Sequence, residues 1–367
     1  MTRSKTLGNL LALSIALAVS LLAGEAMLRA VVELPLQRPL PEVRYDDHPV
    51  RRFTLRPAQT GYSYGAPASV DGRGFRSNGT RRDGGDEGTP TIFALGDSFT
   101  FGMGVRDEQT WPARLEALLK PRRESVRVIN GGTISYGVFQ EMDLLRTSGL
   151  STHPRVIVHA LYWNDFMNPE PPRPEAPSVV TPSGYLSWDQ LDAERGLLPS
   201  TASWAISHSA LLFSLRQAGL RVASTGGGAT GGYGQAYEAF LERGLTGDEW
   251  TPVEQFYTEM QALARTHDFE IMVVILPVND IVMGSQAASH PYPVAARARL
   301  EALGIPYVDA FSLWEHAKYG GRHFLPQGHD AHLNANGYEI LAEALQERLL
   351  GLGVLGRDGD LTSAGTK

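Results

Sequence analysis

From position 91 onward the chain alternates between short continuous apolar runs and stretches whose apolar residues fall three and four apart. The run TIFAL at 91–95 shows no polar alternation, the mark of a strand buried on both faces. It is followed by TWPARLEALLK at 110–120, which spaces Leu115, Leu118 and Leu119 at helical intervals and has proline in its first turn. The same pattern predicts strands over 126–129, 155–161, 270–276 and 306–311, and helices over 138–146, 252–266, 293–302 and about 336–350. Buried strands separated by amphipathic helices predict an α/β domain with a parallel sheet covered on both faces.

Outside this rhythm the N-terminus is the most informative stretch. Arg3 and Lys5 precede an uncharged, mostly apolar run over 6–24. That is a basic n-region followed by an h-region. Nineteen helical residues rise about 28 Å, enough for the hydrocarbon core and longer than the apolar stretch of a typical cleaved signal. Residues 1–30 are therefore expected to form a signal-anchor, with a cleaved signal peptide and secretion as the alternative. The positive-inside rule then places the body on the extracytoplasmic, periplasmic side of an inner membrane.

Residues 31–90 are rich in proline, glycine and arginine without a sustained period, and read as a linker and irregular lead-in. The domain at 91–350 is interrupted at about 168–247, where PEPPRPEAP and TGGGATGGYGQ flank a helix expected near 202–218. Residues 351–367 read as a flexible tail.

Composition narrows the function classes. The chain has 367 residues, 43% hydrophobic and 20% charged, which is ordinary globular usage. Lysine and arginine number 33 against 40 aspartate and glutamate, a net charge of −7, so the basic excess that a nucleic-acid backbone requires is missing. There is no cysteine, which excludes thiol nucleophiles, disulfides, thiolate metal sites and a lipidated cysteine anchor.

In a doubly wound sheet ligands bind beyond the carboxyl ends of the strands. The first strand ends in LGDSFTFG, which places Ser98 after a glycine that permits a sharp turn. A serine exposed there becomes a nucleophile when a base reaches it; Asp97 and Ser98 could equally cap the next helix. The second strand runs into VINGGTISYG, where the N–H of Gly131 or Gly132 could face an oxyanion or simply form a tight turn. The third runs into HALYWNDF, where Asn164 is either an oxyanion donor or a turn residue.

Late in the chain, HDAHLNANGY brings Asp330 and His332 to the start of the last helix. A carboxylate two residues from an imidazole can hold its tautomer and leave Nε2 to take a serine proton. His323, His329, His332 and Asp330 do not match a zinc pattern such as HExxH, and no metal or other cofactor is expected. GYSYG at 61–65 formally matches a nucleophile elbow, but Ser63 lies in a polar, tyrosine-containing lead-in where neither a preceding strand nor a following helix is expected.

Together GDSFTFG, the glycine after the second strand, YWND and HDAHLNANGY resemble the SGNH hydrolase, or GDSL-like esterase, superfamily over residues 91–350 without the insertion. RGFRS at 73–77 is similar to the lead-in of its membrane-anchored bacterial members. The resemblance implies a flavodoxin-like three-layer α/β/α fold. It also implies Ser98 as nucleophile, His332 as base oriented by Asp330, and an oxyanion hole from Ser98, Gly132 and Asn164.

Two positions depart from the pattern: Tyr162 replaces the glycine of Gly-x-Asn-Asp, and the spacing Asp330-x-His332 is shorter than the usual Asp-x-x-His. The short form is similar to the polysaccharide acetyltransferase-like branch, related to the alginate acetylation proteins. The expected activity is hydrolysis of an acyl ester through an acyl-serine, on an O-acylated carbohydrate or another cell-envelope ester. A polysaccharide O-acetyltransferase using the same residues and a non-catalytic polysaccharide-binding or assembly scaffold are the alternatives.

Overall fold

The computed structural model describes residues 2–30, 43–64, 66–79, 89–121, 126–166, 178–181, 184–186, 205, 209–212, 214–215, 232–282, 287–316, 323–324 and 332–354. These fall into two compact units, Met1–Pro39 with Trp188–Gly234, and Leu40–Ser187 with Gln235–Lys367.

In the first unit, Thr2–Arg29 is one helix, α1. Its stretch Leu11–Arg29 is long and apolar enough to cross a membrane, and none of it is buried within the protein.

The second unit is organised around a five-stranded parallel sheet of β5 (Thr91–Leu95), β6 (Arg127–Asn130), β7 (Pro154–Leu161), β8 (Glu270–Ile275) and β9 (Tyr307–Asp309). The spatial order is β6-β5-β7-β8-β9, so the sheet's strands run 2-1-3-4-5 in chain order. That is the flavodoxin-like doubly wound arrangement, whose switch point lies between its first and third strands. Every residue of β5 is buried, and since successive side chains point to opposite faces, both faces are covered.

The covering helices follow from local signals. Thr110 Oγ1 accepts the Ala113 N–H to cap α3 (Trp111–Leu119), and Pro112 fits its first turn. Helix α3 packs on the last long helix, Ala335–Leu352, and the helix Val138–Leu144 packs on Gly247–His267.

The structure differs from the sequence reading in three places. Residues 45–70 are not irregular: β1 (Tyr45–His48) pairs with β2 (Arg52–Leu55), and β3 (Gln59–Ser63) with β4 (Ala66–Val70), as two antiparallel hairpins. Each strand is four or five residues long with one half-exposed face, which is too short for alternation to register. The helix expected from Pro252 starts at Gly247 and carries that proline inside it, because Thr246 and Glu249 form a capping box upstream. Within the stretch expected to be patternless, Gly232–Arg243 is helical and buries Phe240. The tail expected over 351–367 begins two residues late, since the last helix, Ala335–Leu352, runs through 351 and 352; residues 355–367 and most of the helix expected near 202–218 lie outside the described residues.

Candidate active site

The carboxyl ends of β5, β6 and β7 bring the candidate residues to the switch point. After β5 the chain turns at Gly96, whose φ of +153° and an imagined Cβ 2.3 Å from Thr100 Oγ1 leave room only for glycine. Asp97 then caps the short helix α2 (Ser98–Phe101), accepting the Phe99 N–H on Oδ1 at 2.9 Å. Capping therefore falls to Asp97 alone. The buried Ser98 directs its hydroxyl to His332, with Oγ 2.7 Å from Nε2. Asp97 Oδ2 lies farther from the same hydroxyl, at 3.3 Å, so its single proton is best placed on the line to His332.

The residues just after His332 fix its place. Leu333 makes an antiparallel bridge to Phe324, and Asn334 caps the last helix by accepting the Asn336 and Gly337 N–H groups. The imidazole stacks on Phe99, with centroids 4.3 Å apart and planes 24° apart. Phe99 in turn packs on Tyr162, at 4.2 Å. The residue that replaces a glycine of the motif thus supports the aromatic packing beneath the histidine.

Asn164 lies in the turn Trp163–Phe166 after β7 and donates Nδ2 to Asp97 Oδ2 at 3.0 Å. A carboxamide nitrogen has two N–H groups, so one remains for a ligand. Asp165 holds this turn, its Oδ2 accepting the Tyr162 N–H at 2.8 Å. Asp97 is buried, and desolvation raises its pKa against the opposing effect of the Phe99 N–H, His332, Asn164 and Ser98.

Gly132 lies against α2 so closely that a Cβ would be 2.1 Å from the Phe101 nitrogen. Its N–H donates to Asn130 Oδ1 at 3.0 Å, while Gly131 donates to Ala94 O. The structure therefore brings Ser98, His332 and Asn164 together with the Gly132 backbone beside them. Asp330 and His329 lie outside the described residues. A strand does precede Ser63, contrary to expectation: that residue ends β3 and is buried in a hairpin, where the chain goes on into β4 and not into the helix an elbow needs.

Two groups behind the site escaped the sequence reading. Arg76 of RGFRS is completely buried and donates to Phe101 O, Gly102 O and Val105 O at 2.9, 2.7 and 2.7 Å, and to Asp107 Oδ1 at 3.1 Å. It grips the end of the turn that carries Ser98. The second group is Glu141, His159 and Tyr257, all buried, in which Glu141 Oε2 and the Tyr257 hydroxyl each lie 2.8 Å from a ring nitrogen of His159. Burial pushes the His159 pKa down to about 3 and that of Glu141 well up. Both groups join residues distant in sequence, and only the Arg76 segment carried a local signal. Among the described residues no cluster of three His, Cys, Asp or Glu is arranged to hold a metal ion.

A buried serine hydroxyl hydrogen-bonded to an imidazole, beside backbone and carboxamide N–H groups at the switch point of a doubly wound sheet, is the arrangement that a serine-type hydrolase of the α/β class requires. Residues 94–340 match the model of the GDSL-like lipase/acylhydrolase family, and the chain belongs to that family. It is an ester-hydrolysing enzyme rather than a scaffold. No curated protein was found similar in sequence.

Similar solved structures include a lipase/acylhydrolase from Enterococcus faecalis, at 14% identity over 72% of this chain and 96% of that one, with a TM-score of 0.41. A catalytic mutant of an acetylxylan esterase from Geobacillus stearothermophilus is 12% identical over 73% and 96%, with a TM-score of 0.40. An α/β hydrolase from the metagenome of Lake Arreo is 14% identical over 73% and 96%, with a TM-score of 0.41.

Proposed function

We propose that the enzyme cleaves acyl esters through an acyl-serine intermediate on Ser98, acting on an O-acylated carbohydrate of the cell envelope. The observation that carries this reading is the 2.7 Å contact between Ser98 Oγ and His332 Nε2. His332 takes the hydroxyl proton as Oγ attacks the ester carbonyl. The developing oxyanion is met by the second Asn164 N–H and by the Ser98 N–H, which begins a helical turn and has no intrahelical acceptor. The Gly132 N–H joins them by turning from Asn130. His332 then protonates the departing alcohol, and a water deprotonated by the same imidazole releases the acid. Asp330 is the proposed partner that orients the ring.

The substrate class follows from location. This reading is supported by the length and apolarity of α1: a chain anchored there with its body on the periplasmic side would meet envelope and exported polysaccharides. The test is release of acetate from acetylated oligosaccharides by wild-type protein and Ser98→Ala, with unacylated oligosaccharide present. Acetate release lost in the variant supports the reading. Acetyl transfer to the added sugar in place of release would replace hydrolysis by O-acetyl transfer, and undiminished release by Ser98→Ala would overturn the role of Ser98.

A further inference from the structure

Along α1 the side chains from Leu11 to Leu22 are exposed, 63% and 70% at those two residues. Near its C-terminal end the surface changes. Gly24, Glu25 and Leu28, which share one face, are shielded, while Ala26 and Met27 stay exposed. Onto Glu25 comes a segment of the insertion: its carboxylate accepts the Ser209 hydroxyl at 2.8 Å, the Ala210 N–H at 2.9 Å and the Leu211 N–H at 3.0 Å. Ser209 Oγ also accepts the Leu212 N–H at 3.2 Å, and Ala210 is fully buried. Residues 210–212 and 214–215 are helical, so Glu25 supplies the acceptor for N–H groups at the start of that helical stretch that have none of their own. Arg29, one turn along α1, bonds the same carboxylate at 2.7 Å.

Glu25 closes the uncharged run over 6–24, and an acid at that place serves nothing in a peptide that is removed. Here it binds residues 184 to 186 positions away in the same chain. From Lys5 to Glu25 the helix rises about 30 Å, which sets the carboxylate at the far membrane surface when Lys5 is at the near one. We infer that α1 is kept in the mature protein as a resident anchor, and that the inserted segment docks on it through Glu25 at the lipid surface. Leu212 and Leu215, 41% and 61% exposed and three residues apart, then turn toward the headgroup boundary. The inference rests on the membrane reading of α1 and is independent of the acyl-ester chemistry.

The chain has no cysteine, which makes a thiol cross-link unambiguous. The full chain, with Glu25 and Ser209 intact, is expressed into bacterial membranes as Leu28→Cys with Leu212→Cys, and as the control pair Ser14→Cys with Leu212→Cys. The control lies fourteen residues, or about 21 Å, back along the helix. A short bis-maleimide is added to both, and intact mass is read with thermal melting to establish folding. The expected result is a membrane-bound chain that retains α1 and cross-links many-fold more in the first pair than in the control. A mature chain starting beyond α1 overturns retention, and equal or absent cross-linking in folded protein overturns the docking. Recovery of the uncleaved chain in the soluble fraction overturns the membrane reading, whatever its esterase activity.

Discussion

Replacing Gly132 by alanine should damage the site through packing. The added Cβ would lie 2.1 Å from the Phe101 nitrogen and 2.4 Å from the Thr100 carbonyl carbon. Relaxed heavy-atom contacts are about 3.5 Å, so the loop after β6 and the turn carrying Ser98 must separate by about 1 Å. Both sides of the clash are backbone, and no rotamer relieves it. Overpacking of a tight site costs about 1–3 kcal/mol, and this case belongs at the upper end or beyond. At roughly 2–4 °C per kcal/mol for a domain of this size, Tm should fall by about 6–12 °C. Moving a reacting group by about 1 Å lowers the rate by about 10²-fold, so turnover should fall even below the new Tm. Thermal melting of the detergent-solubilised chain and p-nitrophenyl acetate turnover measure the two effects. A variant with unchanged Tm and unchanged kcat would refute this packing and the placement of Ser98 built on it.

Three further outcomes are expected. Asn164→Ala should lower kcat by about 10²- to 10³-fold with little change in KM, read by steady-state kinetics, since it removes the carboxamide proposed as an oxyanion donor. Arg76→Ala leaves the buried carbonyls of Phe101, Gly102 and Val105 and the Asp107 carboxylate without their shared donor, and should cost about 3–5 kcal/mol in urea unfolding. Glu141 has a raised folded pKa, so the stability associated with its proton is complete below its ordinary value of 4.5 and is lost as pH rises toward the folded value. Relative to Glu141→Gln, wild-type unfolding free energy should therefore fall by about 1.4 kcal/mol per pH unit above 4.5, and parallel curves would contradict the protonated pair with His159.

The parallel sheet was legible because its central strands bury nearly every residue and so appear as continuous apolar runs, as TIFAL and EIMVVI do, whereas the edge strand Tyr307–Asp309 is only half-buried at both ends. The hairpins at 45–70 were not, because Arg52, Pro67 and half-exposed positions interrupt strands of four or five residues. That Ser98, Gly132, Asn164 and His332 would lie near one another was legible because the switch point gathers the ends of the strands, where the motif residues sit. The engagement of the Gly132 N–H by Asn130 was latent in the spacing of Asn-Gly-Gly, since an asparagine side chain commonly accepts from the residue two ahead. Glu141, His159 and Tyr257 had no such signal: they are 18 and 98 residues apart and meet only once helices pack on β7.

The activated serine is tested most directly by the mass of the intact protein after exposure to a fluorophosphonate. A single adduct is expected, absent in Ser98→Ala and strongly slowed in His332→Ala, because only a hydroxyl deprotonated by that imidazole attacks phosphorus at a useful rate. Wild-type protein that is folded by thermal melting and acquires no adduct, or an adduct that persists in Ser98→Ala, would contradict it.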